Sequence, residues 1–465
     1  MRTERIPTRR DTALVVLSII LTALLVLVAI GLHYATARAQ TAPNQPIPKI
    51  DRAWQAETID SVASQLEAVY VYPDVARKME KLVRQNFKQG KYDTLTNPIV
   101  FVATLAEDLR SVSHDRHLSA RYSPDLAAQY ATADTLTDSV RQVEAEQLRF
   151  DNYGFYRVER LPGNIGYLDF RYFDGAGEAG PTAVAAMNFL ANCDALIFDM
   201  RRNGGGDPSM IQLISSYLFD EPKHLNSFYI RAKDTIQQFW TSAYVPGKRM
   251  SNADVYVLTS SSTFSGAEEF TYNLKNMKRA TIIGETTGGG AHPVEAHAFL
   301  NLNVEIGVPY GRAINPITNT NWEGVGVKPD IEVPADQALT VARTEALKKL
   351  RDKATTEDRR RAVAWELETQ ESEQHPAQVD PATVQKYVGT YGPRKITLEN
   401  GDLFYQREGR PKYRLIPLTA STFRLDAPDM GGFRLRFATG EQGAVTEVVG
   451  VYSDGREDHS PRTGN

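Results

Sequence analysis

The sequence predicts an α/β protein in which a largely parallel sheet is layered with helices, between an N-terminal helical region and a C-terminal antiparallel β module. Three patterns indicate this class. Apolar side chains recur at helical spacing from about residue 50 to 112, short apolar runs alternate with helix-like segments from about 150 to 335, and hairpin patterns follow from about 382. A chain of 465 residues is long enough for two or three such domains.

The composition excludes several classes of function. The net charge of -4 is unlike the basic field of nucleic-acid-binding domains, so no nucleic-acid partner is expected. The histidines lack an HExxH-like spacing, and the triple glycine is not followed by the Lys and Ser/Thr of a phosphate-binding loop. We therefore expect no metal and no cofactor. The single cysteine, Cys193, has no disulfide partner and is interpreted as a buried structural thiol.

Residues 1–39 have the pattern of an export segment. Basic residues precede the apolar run TALVVLSIILTALLVLVAIGL, and ATARAQ offers an Ala-x-Ala cleavage site that ends at Ala39. The run of about 20 apolar residues is also long enough to span a bilayer, so a retained single-pass anchor is the alternative to a cleaved signal peptide. Both interpretations place the rest of the chain in the periplasm or outside the cell.

Residues 50–122 are predicted to form a helical domain. Apolar side chains lie at near-helical spacing in three successive stretches, so each helix is expected to bury one face. These residues are Trp54, Ile59, Val62, Leu66 and Val69, then Met79, Leu82, Val83 and Phe87, then Phe101, Leu105 and Leu109.

Two junctions between a predicted strand and a predicted helix carry the candidate chemistry, because functional groups collect where strands end in α/β layers. In ALIFDMRRNGGGD, the glycines at 204–206 let the backbone direct N–H groups at a ligand, or they form only a flexible turn. In DVYVLTSSSTFSGAEEF, Ser265 lies at a helix start, where the positive dipole end favours a developing negative charge. The alternative for Ser265 is a helix N-cap.

Four blocks of the sequence, in order, resemble a known peptidase family. They are ALIFDMRRNGGG, VYVLTSSSTFSGAEEF, RATIIGETTGGG and GVGVKPDIEVP. They look like the blocks of the serine peptidases related to the tricorn core protease and the C-terminal processing (tail-specific) proteases. The stretch SHDRHLSARY is similar to the corresponding region of the interphotoreceptor retinoid-binding protein branch. The resemblance implies a crotonase-like catalytic domain over 150–335, with a helical cap domain over 50–122.

The resemblance also implies a set of site residues. Ser265 matches the nucleophile, His117 the histidine block, and Glu323 in NWEGVGVKPD the glutamate block. A neutral imidazole takes the serine proton, and a carboxylate orients it and stabilises the imidazolium. The implied oxyanion donors are the backbone N–H of Gly204 or Gly205 and that of Gly266, by analogy with the family. Loss of activity is then expected as pH falls through about 6 to 7, where imidazole protonates.

The sequence departs from the family pattern in two places. In the C-terminal processing branch a lysine downstream of the serine acts as base, but Gly290 stands at that position here. Lys275 is no substitute, because ten residues of helix span about 15 Å. The tricorn pattern has a serine before its histidine, whereas Arg116 stands here, and His114 and His292 remain alternative bases.

The segments after the catalytic region receive structural interpretations. Residues 336–377 are charged and helical in pattern, which indicates a solvated linker. Residues 382–457 are predicted to form a small antiparallel β-domain, with an Asn400-Gly401 hairpin turn in KITLENGDLFYQ. This domain looks like the lipocalin-like tails appended to exported bacterial hydrolases, and it carries no residue set suited to catalysis.

Three functions stay open from the sequence. The first is an exported serine peptidase that hydrolyses peptide bonds in unfolded or C-terminal polypeptide segments. It would lack a PDZ module, because the interval between SHDRHLSARY and GNIGYLDF is too short for one. The second is a non-catalytic protein that binds a hydrophobic ligand on the same fold, and the third is a surface-attached interaction protein that acts through its β tail. The presence of Ser265, His117 and Glu323 together favours the first.

Overall fold

The computed structural model describes residues 47–127, 145–427, 430–441 and 443–464. The expected export signal or anchor at 1–39 lies outside the described residues. Residues 128–144, in the interval that is too short for a PDZ module, also lie outside them. Within the described part of the chain, no helix combines the length and the apolar character needed to cross a membrane.

The three helices predicted near the N-terminus are present. They are α1 (Arg52–Val69), α2 (Pro73–Lys88) and α3 (Pro98–Ser113). Asp51 caps α1 by accepting the backbone N–H of Trp54, and Asn97 caps α3 by accepting that of Ile99. Proline at the first position of α2 and α3 fits there, because that N–H has no helical partner.

These helices share their core with a three-stranded antiparallel sheet whose strand order is β1-β10-β9. The strands are β1 (Ser119–Tyr122), β9 (Val294–Phe299) and β10 (Val304–Pro309). Two of the three strands therefore come from the region predicted to be catalytic. The helical region is consequently joined to that region by a common core, which the sequence pattern did not indicate.

A six-stranded sheet of order β12-β8-β7-β4-β3-β2 forms the centre of the fold, and only β2 is antiparallel to its neighbour. Alternate residues point to opposite faces, and β3, β4 and β7 are buried on both, so these central strands read as near-continuous apolar runs, whereas the edge strand β2 is largely exposed. The strands are β2 (Phe155–Leu161), β3 (Ile165–Phe170), β4 (Ala195–Asp199), β7 (Asp254–Thr259), β8 (Ala280–Gly284) and β12 (Ile331–Glu332).

Helices cover both faces of this sheet. One face packs on α4 (Ala176–Leu190), α5 (Pro208–Ser216) and α6 (Gly266–Asn276). The other packs on α7 (Ala338–Lys353) and on apolar side chains of α8 (Glu357–Gln374). The predicted linker is thus helical, but it is not a solvated connection: Ala342, Ala346 and Leu347 of α7 are fully buried against the sheet.

A second antiparallel sheet, of order β11-β5-β6, lies beside the start of α6. Its strands are β5 (His224–Ile230), β6 (Thr235–Trp240) and β11 (Gly311–Ile314). Phe228 and Phe239 from this sheet pack in a small buried cluster with Trp322. The cluster forms one wall of the cleft described below.

The C-terminal residues form a closed eight-stranded antiparallel barrel, preceded by α9 (Pro381–Tyr387). Asn400 and Gly401 have φ of 51° and 90°, as a type I′ turn requires, and they join β14 to β15 as predicted. The strands are β13 (Gly389–Tyr391), β14 (Arg394–Glu399), β15 (Asp402–Arg407), β16 (Lys412–Pro417), β17 (Thr422–Leu425), β18 (Phe433–Thr439), β19 (Val445–Tyr452) and β20 (Glu457–Gly464).

The barrel extends further than the predicted boundary at residue 457. The closing strand β20 has the polar sequence EDHSPRTG, which lacks the apolar alternation that marks a strand. The barrel contacts α8 through Arg434, which is buried, stacks on the Trp365 ring at 3.7 Å and forms an ion pair with Glu368. Helix α8 therefore contacts the central sheet on one side and the barrel on the other.

Candidate active site

Ser265 lies in the turn between β7 and α6, with an unusual backbone conformation. Its φ of 52° and ψ of -121° fall in a region that residues with a side chain rarely occupy. Such local strain persists only where the surroundings over-determine the conformation, and it concentrates at functional sites. The strand, the strained serine and the following helix resemble the turn that presents a nucleophile in other hydrolase folds.

The carboxylate of Glu268 fixes this turn. It is fully buried and accepts the N–H of Ser265 at 2.9 Å, that of Gly290 at 2.8 Å and that of Gly289 at 2.7 Å. The Glu268 N–H donates to the backbone oxygen of Ser265 at 2.9 Å, and the two residues form a capping box in which the Ser265 side chain also faces this N–H. Glu268 thus joins the serine turn to the glycine loop at 288–290.

The glycine run at 204–206 lies against this turn. A Cβ on Gly205 would come within 2.5 Å of the Gly266 nitrogen, so only glycine permits this approach. The N–H groups of Gly204 and Gly205, expected as oxyanion donors, instead donate to Arg171 O at 3.2 Å and Asn203 Oδ1 at 2.9 Å.

The candidate donors for an oxyanion are therefore other N–H groups than those of Gly204 and Gly205. Within the described residues, the N–H groups of Gly206 and Gly266 donate to no protein acceptor. A Cβ on Gly266 would lie 2.9 Å from the Gly206 nitrogen, so the two backbones are in close contact. Gly206 and Gly266, rather than Gly204 or Gly205, are the donors that this arrangement leaves available.

His117 lies on the same side of the cleft as Ser265. Its ring packs on the ring of Phe264, the residue before the serine, with centroids 4.7 Å apart. Its Nδ1 is buried and has no hydrogen-bond partner among the described residues. Burial lowers the pKa of His117 to about 4, against the opposing effect of Asp115, so its imidazole is neutral near pH 7.

Arg116, which stands where the tricorn pattern has a serine, holds this histidine loop in place. Its guanidinium donates to the backbone oxygen of Gly288 at 2.6 Å and lies 5.2 Å from the centre of the Phe264 ring. The lysine position of the C-terminal processing branch has no space for a side chain. A Cβ on Gly290 would lie 2.3 Å from Phe264 and 2.7 Å from His117.

His292 and Asp115 form a buried pair beside His117. His292 Nδ1 lies 2.6 Å from Asp115 Oδ2, and its Nε2 is buried without a hydrogen-bond partner among the described residues. The other oxygen of Asp115 accepts the backbone N–H of His117 at 3.0 Å. Asp115 therefore positions both histidines, and both line the cleft.

Glu323 completes this group of titratable side chains. Its Oε2 accepts the N–H of Ala291 at 2.6 Å and lies 3.7 Å from His292 Nδ1. One oxygen of Glu323, one of Asp115 and a ring nitrogen of His117 all lie within 4.8 Å of one another. Burial raises the pKa of Glu323 to about 7, and the neighbouring Asp115 adds to this effect.

The same three side chains offer the donor atoms that divalent metals bind. A histidine beside two carboxylates is also an arrangement that transfers protons, so these donor atoms alone do not assign a metal to the protein. The sequence indicated Glu323 and His117, but it did not indicate that Asp115 would join them.

Four further residues, of which only His114 was an alternative base, lie outside the lining of the cleft. His114 is exposed and ends α3, with φ of 55°. Lys275 binds Asp330 at 2.5 Å and the backbone oxygen of Lys328, so it is engaged outside the cleft. Asp199 ends β4, where it is buried and accepts from the hydroxyl of Tyr167 at 2.6 Å, in keeping with a structural role. Cys193 is buried.

A cleft of about 500 Å³ opens beside these residues. Ser265, His117, His292 and the backbone of Gly206 and Gly266 line it, together with the aromatic rings of Phe228, Phe264, Tyr310 and Trp322. Glu269, one helical turn after Ser265, also lines it. Burial raises the pKa of Glu269 to about 7.

Asp115, Glu268 and Gly206 are the residues that the sequence interpretation missed. Glu268 had a signal, because a Ser followed three residues later by Glu is the capping-box spacing. Asp115 is two residues before His117 in HDRH, but nothing in that spacing indicates that it would contact His292 across the fold. The choice among three consecutive glycines depends on backbone hydrogen bonds that the sequence does not show.

A serine at a strained strand–helix turn, beside free backbone N–H groups and a histidine–carboxylate group, is the arrangement of a serine hydrolase. Two family models match this chain. The model of peptidase family S41 matches residues 164–333, and that of the N-terminal domain of the S41 peptidase in eukaryotic IRBP matches residues 43–151. The chain belongs to peptidase family S41, a family of serine peptidases.

Three solved structures are similar to parts of this chain. The photosystem II D1 C-terminal processing protease is 20% identical, with a TM-score of 0.31 over 37% of this chain and 43% of its own. The tricorn protease is 13% identical, with a TM-score of 0.37 over 62% of this chain and 35% of its own. A lipoprotein from Streptococcus agalactiae is 13% identical, with a TM-score of 0.42 over 66% of this chain and 100% of its own. This chain thus spans less than half the length of the first two.

Proposed function

We propose that the protein is a serine peptidase that cleaves polypeptides with Ser265 as nucleophile, His117 as general base and Glu323 as the supporting carboxylate. The observation that carries this proposal is the strained conformation of Ser265 in a cleft that His117 also lines, beside two backbone N–H groups with no acceptor in the described part of the chain. A residue that served only as an N-cap would need neither the strain nor the neighbouring donors.

The proposed reaction has two halves. The Ser265 Oγ attacks the carbonyl carbon of the scissile peptide bond while His117 takes the hydroxyl proton, and the N–H groups of Gly206 and Gly266 bind the oxyanion. The C–N bond then breaks as His117 returns the proton to the leaving amine, which leaves an acyl ester on Ser265. Water, deprotonated by His117, hydrolyses this ester and regenerates the serine hydroxyl.

Labelling with a fluorophosphonate probe tests this proposal, since the probe reacts with an activated serine. We expect one modified peptide, which contains Ser265.

The rival function is the binding of a hydrophobic ligand, and the four aromatic rings in the cleft give it some support. Tight binding of an apolar probe without any serine labelling or peptide turnover would favour that rival.

The export of the protein and its crotonase-like classification belong to the same proposal. The N-terminal sequence pattern supports a periplasmic or extracellular location, through a cleaved signal or a retained anchor. The parallel sheet, with helices on both faces and the serine after a central strand, is compatible with the crotonase-like fold that the resemblance implied. The N-terminal helices would then act as a cap over the cleft.

The pH dependence of kcat is expected to follow Glu323. Because burial lowers the pKa of His117 to about 4, we expect its imidazole to protonate below pH 6 rather than between pH 6 and 7. The pKa of Glu323 is about 7, so its carboxylate becomes neutral as pH falls through 7 and ceases to stabilise the imidazolium. We expect kcat to fall through about pH 7 for that reason, with substrate at saturation.

The variant Glu323→Gln isolates this effect, because glutamine is neutral at every pH. Its kcat should be nearly constant from about pH 5.5 to 8 and close to the low-pH rate of the wild type. A variant that keeps the wild-type decrease at pH 7 would show that another group controls it. Glu269 also has a pKa that burial raises to about 7, but it lines the cleft and is expected to affect KM. Measurement of kcat at saturating substrate therefore reports on Glu323.

Removal of the C-terminal barrel should leave turnover within about threefold of the full chain. A chain that ends at Gln374 keeps α8 and the whole cleft, but it exposes Trp365, whose burial contributes about 2–3 kcal/mol. At about 2–4 °C per kcal/mol, the thermal midpoint should fall by roughly 5–10 °C. Circular dichroism and peptide turnover measure the two effects. A folded truncated protein without turnover would mean that the barrel completes the active site.

A further inference from the structure

Glu269 is a buried carboxylate that the proposed mechanism does not use. Only 3% of its surface is exposed, yet it lines the cleft that contains Ser265. Its N–H donates to the backbone oxygen of Ser265 at 3.0 Å, so it is one helical turn from the proposed nucleophile. A buried carboxylate is costly unless it is paired, and an ion pair for Glu269 is absent among the described residues.

The side chains around Glu269 are polar but incompletely hydrogen-bonded. The amides of Asn226 and Asn273 favour its charged form, although burial outweighs them and raises its pKa. The Asn226 side chain is fully buried, and neither its oxygen nor its nitrogen has a partner with hydrogen-bond geometry among the described residues. Glu269 is therefore incompletely neutralised by its surroundings, so a bound group that donates hydrogen bonds to its carboxylate from the cleft would be stabilised.

The walls and the charge of the cleft indicate the kind of group that fits. Phe228 and Trp322 supply flat apolar surface beside the carboxylate. Among the described residues, no lysine or arginine lines the cleft, and the second carboxylate that does so is Asp207, at its exposed side. A long alkyl stem with a cationic end matches both features, since the stem packs on the rings and the cation meets the carboxylate.

We propose that the pocket around Glu269 binds a lysine or arginine side chain of the substrate next to the scissile bond. The inference rests on the proposed peptidase function and deepens it by naming the substrate class. The cation would donate to the Glu269 carboxylate, which accepts hydrogen bonds. Glu269 is therefore a specificity residue.

Matched fluorogenic peptides test the inference. They differ only in the residue on the acyl side of the cleaved bond: lysine, arginine, or norleucine, which has the alkyl stem without the charge. At pH 8.5, where the carboxylate is ionised, we expect kcat/KM for lysine or arginine to exceed that for norleucine by on the order of 10- to 100-fold. Glu269→Gln should reduce this ratio to about one, because kcat/KM for lysine and arginine should fall by a much larger factor than kcat/KM for norleucine.

Two controls make the result specific. Asp207→Asn removes the other carboxylate of the cleft and keeps an N-capping side chain for α5, so it should preserve the preference for lysine over norleucine. If Glu269→Gln fails to fold, inhibition of the wild type replaces it: benzamidine should inhibit at least tenfold more strongly than its neutral analogue benzamide.

The outcomes separate the inference from the function on which it rests. Absence of fluorophosphonate labelling and of any peptide turnover would overturn both. Labelling and turnover with equal use of lysine, arginine and norleucine would overturn the basic-side-chain pocket alone. A preference that survives in a folded Glu269→Gln protein would also overturn it, because another group would then hold the cation.

Discussion

Replacement of Ser265 by alanine should abolish peptide hydrolysis while the protein stays folded. Loss of a serine nucleophile typically lowers kcat by on the order of 10⁴-fold or more, and the remaining rate comes from the oxyanion donors and substrate binding. Alanine meets the same backbone strain as serine, and Glu268 still accepts the N–H of residue 265, so loss of the hydroxyl from the capping box should cost no more than about 0.5–2 kcal/mol. Turnover of a fluorogenic peptide and circular dichroism measure the two effects.

Ser262→Ala provides the matched control. Ser262 is exposed in the same serine-rich turn and donates only its backbone N–H, to Ser260 Oγ at 3.0 Å. The Ser262→Ala protein should keep full activity and full labelling by a fluorophosphonate. Hydrolysis by the Ser265→Ala protein at the wild-type rate, or a probe found on Ser260, Ser261 or Ser262, would rule out Ser265 as the nucleophile.

Removal of the His117 imidazole is expected to have the second largest effect. General base catalysis contributes about 10²- to 10⁴-fold, so His117→Ala should lower kcat by that factor with little change in KM. The lost ring leaves space beside Phe264 and Gly290, so added imidazole should restore part of the rate. Such rescue would not occur if His117 were only a structural residue.

His292→Ala is the informative comparison, because His292 is the rival base. This variant leaves the buried Asp115 carboxylate without its partner at 2.6 Å, so we expect a loss of stability of about 2–3 kcal/mol and a smaller loss of kcat. Thermal unfolding and turnover measure the two effects. If His292→Ala loses more activity than His117→Ala and is the one rescued by imidazole, then the Asp115–His292 pair is the catalytic one.

The features that the sequence predicted well are those set by local pattern. The strand β4 is apolar on both faces because helices cover both sides of the sheet, and its residues ALIFD form an unmistakable apolar run. The turn at Asn400 and Gly401 was predictable because only a few residues tolerate positive φ at both positions. The position of Ser265 at a helix start follows from the change of period between β7 and α6.

The features that were missed depend on contacts between distant parts of the chain. Asp115 and His292 meet across 177 positions of sequence, and no local pattern encodes such a contact. Helix α7 looked like a solvated linker because its charges are conspicuous, but the small residues Ala342 and Ala346 let it approach the sheet closely. The pKa of His117 could not be foreseen either, since it follows from burial in the folded state.

The backbone conformation of Ser265 also bears on how this protein can change during evolution. A conformation at φ of 52° and ψ of -121° costs about 1–3 kcal/mol for any residue with a side chain, and glycine largely avoids this cost. A Ser265→Gly substitution would thus raise the free energy of unfolding, and its cost would be the loss of the proposed nucleophile. A single substitution at this position would be enough to convert the proposed enzyme into a folded, more stable protein that has the cleft but no nucleophile.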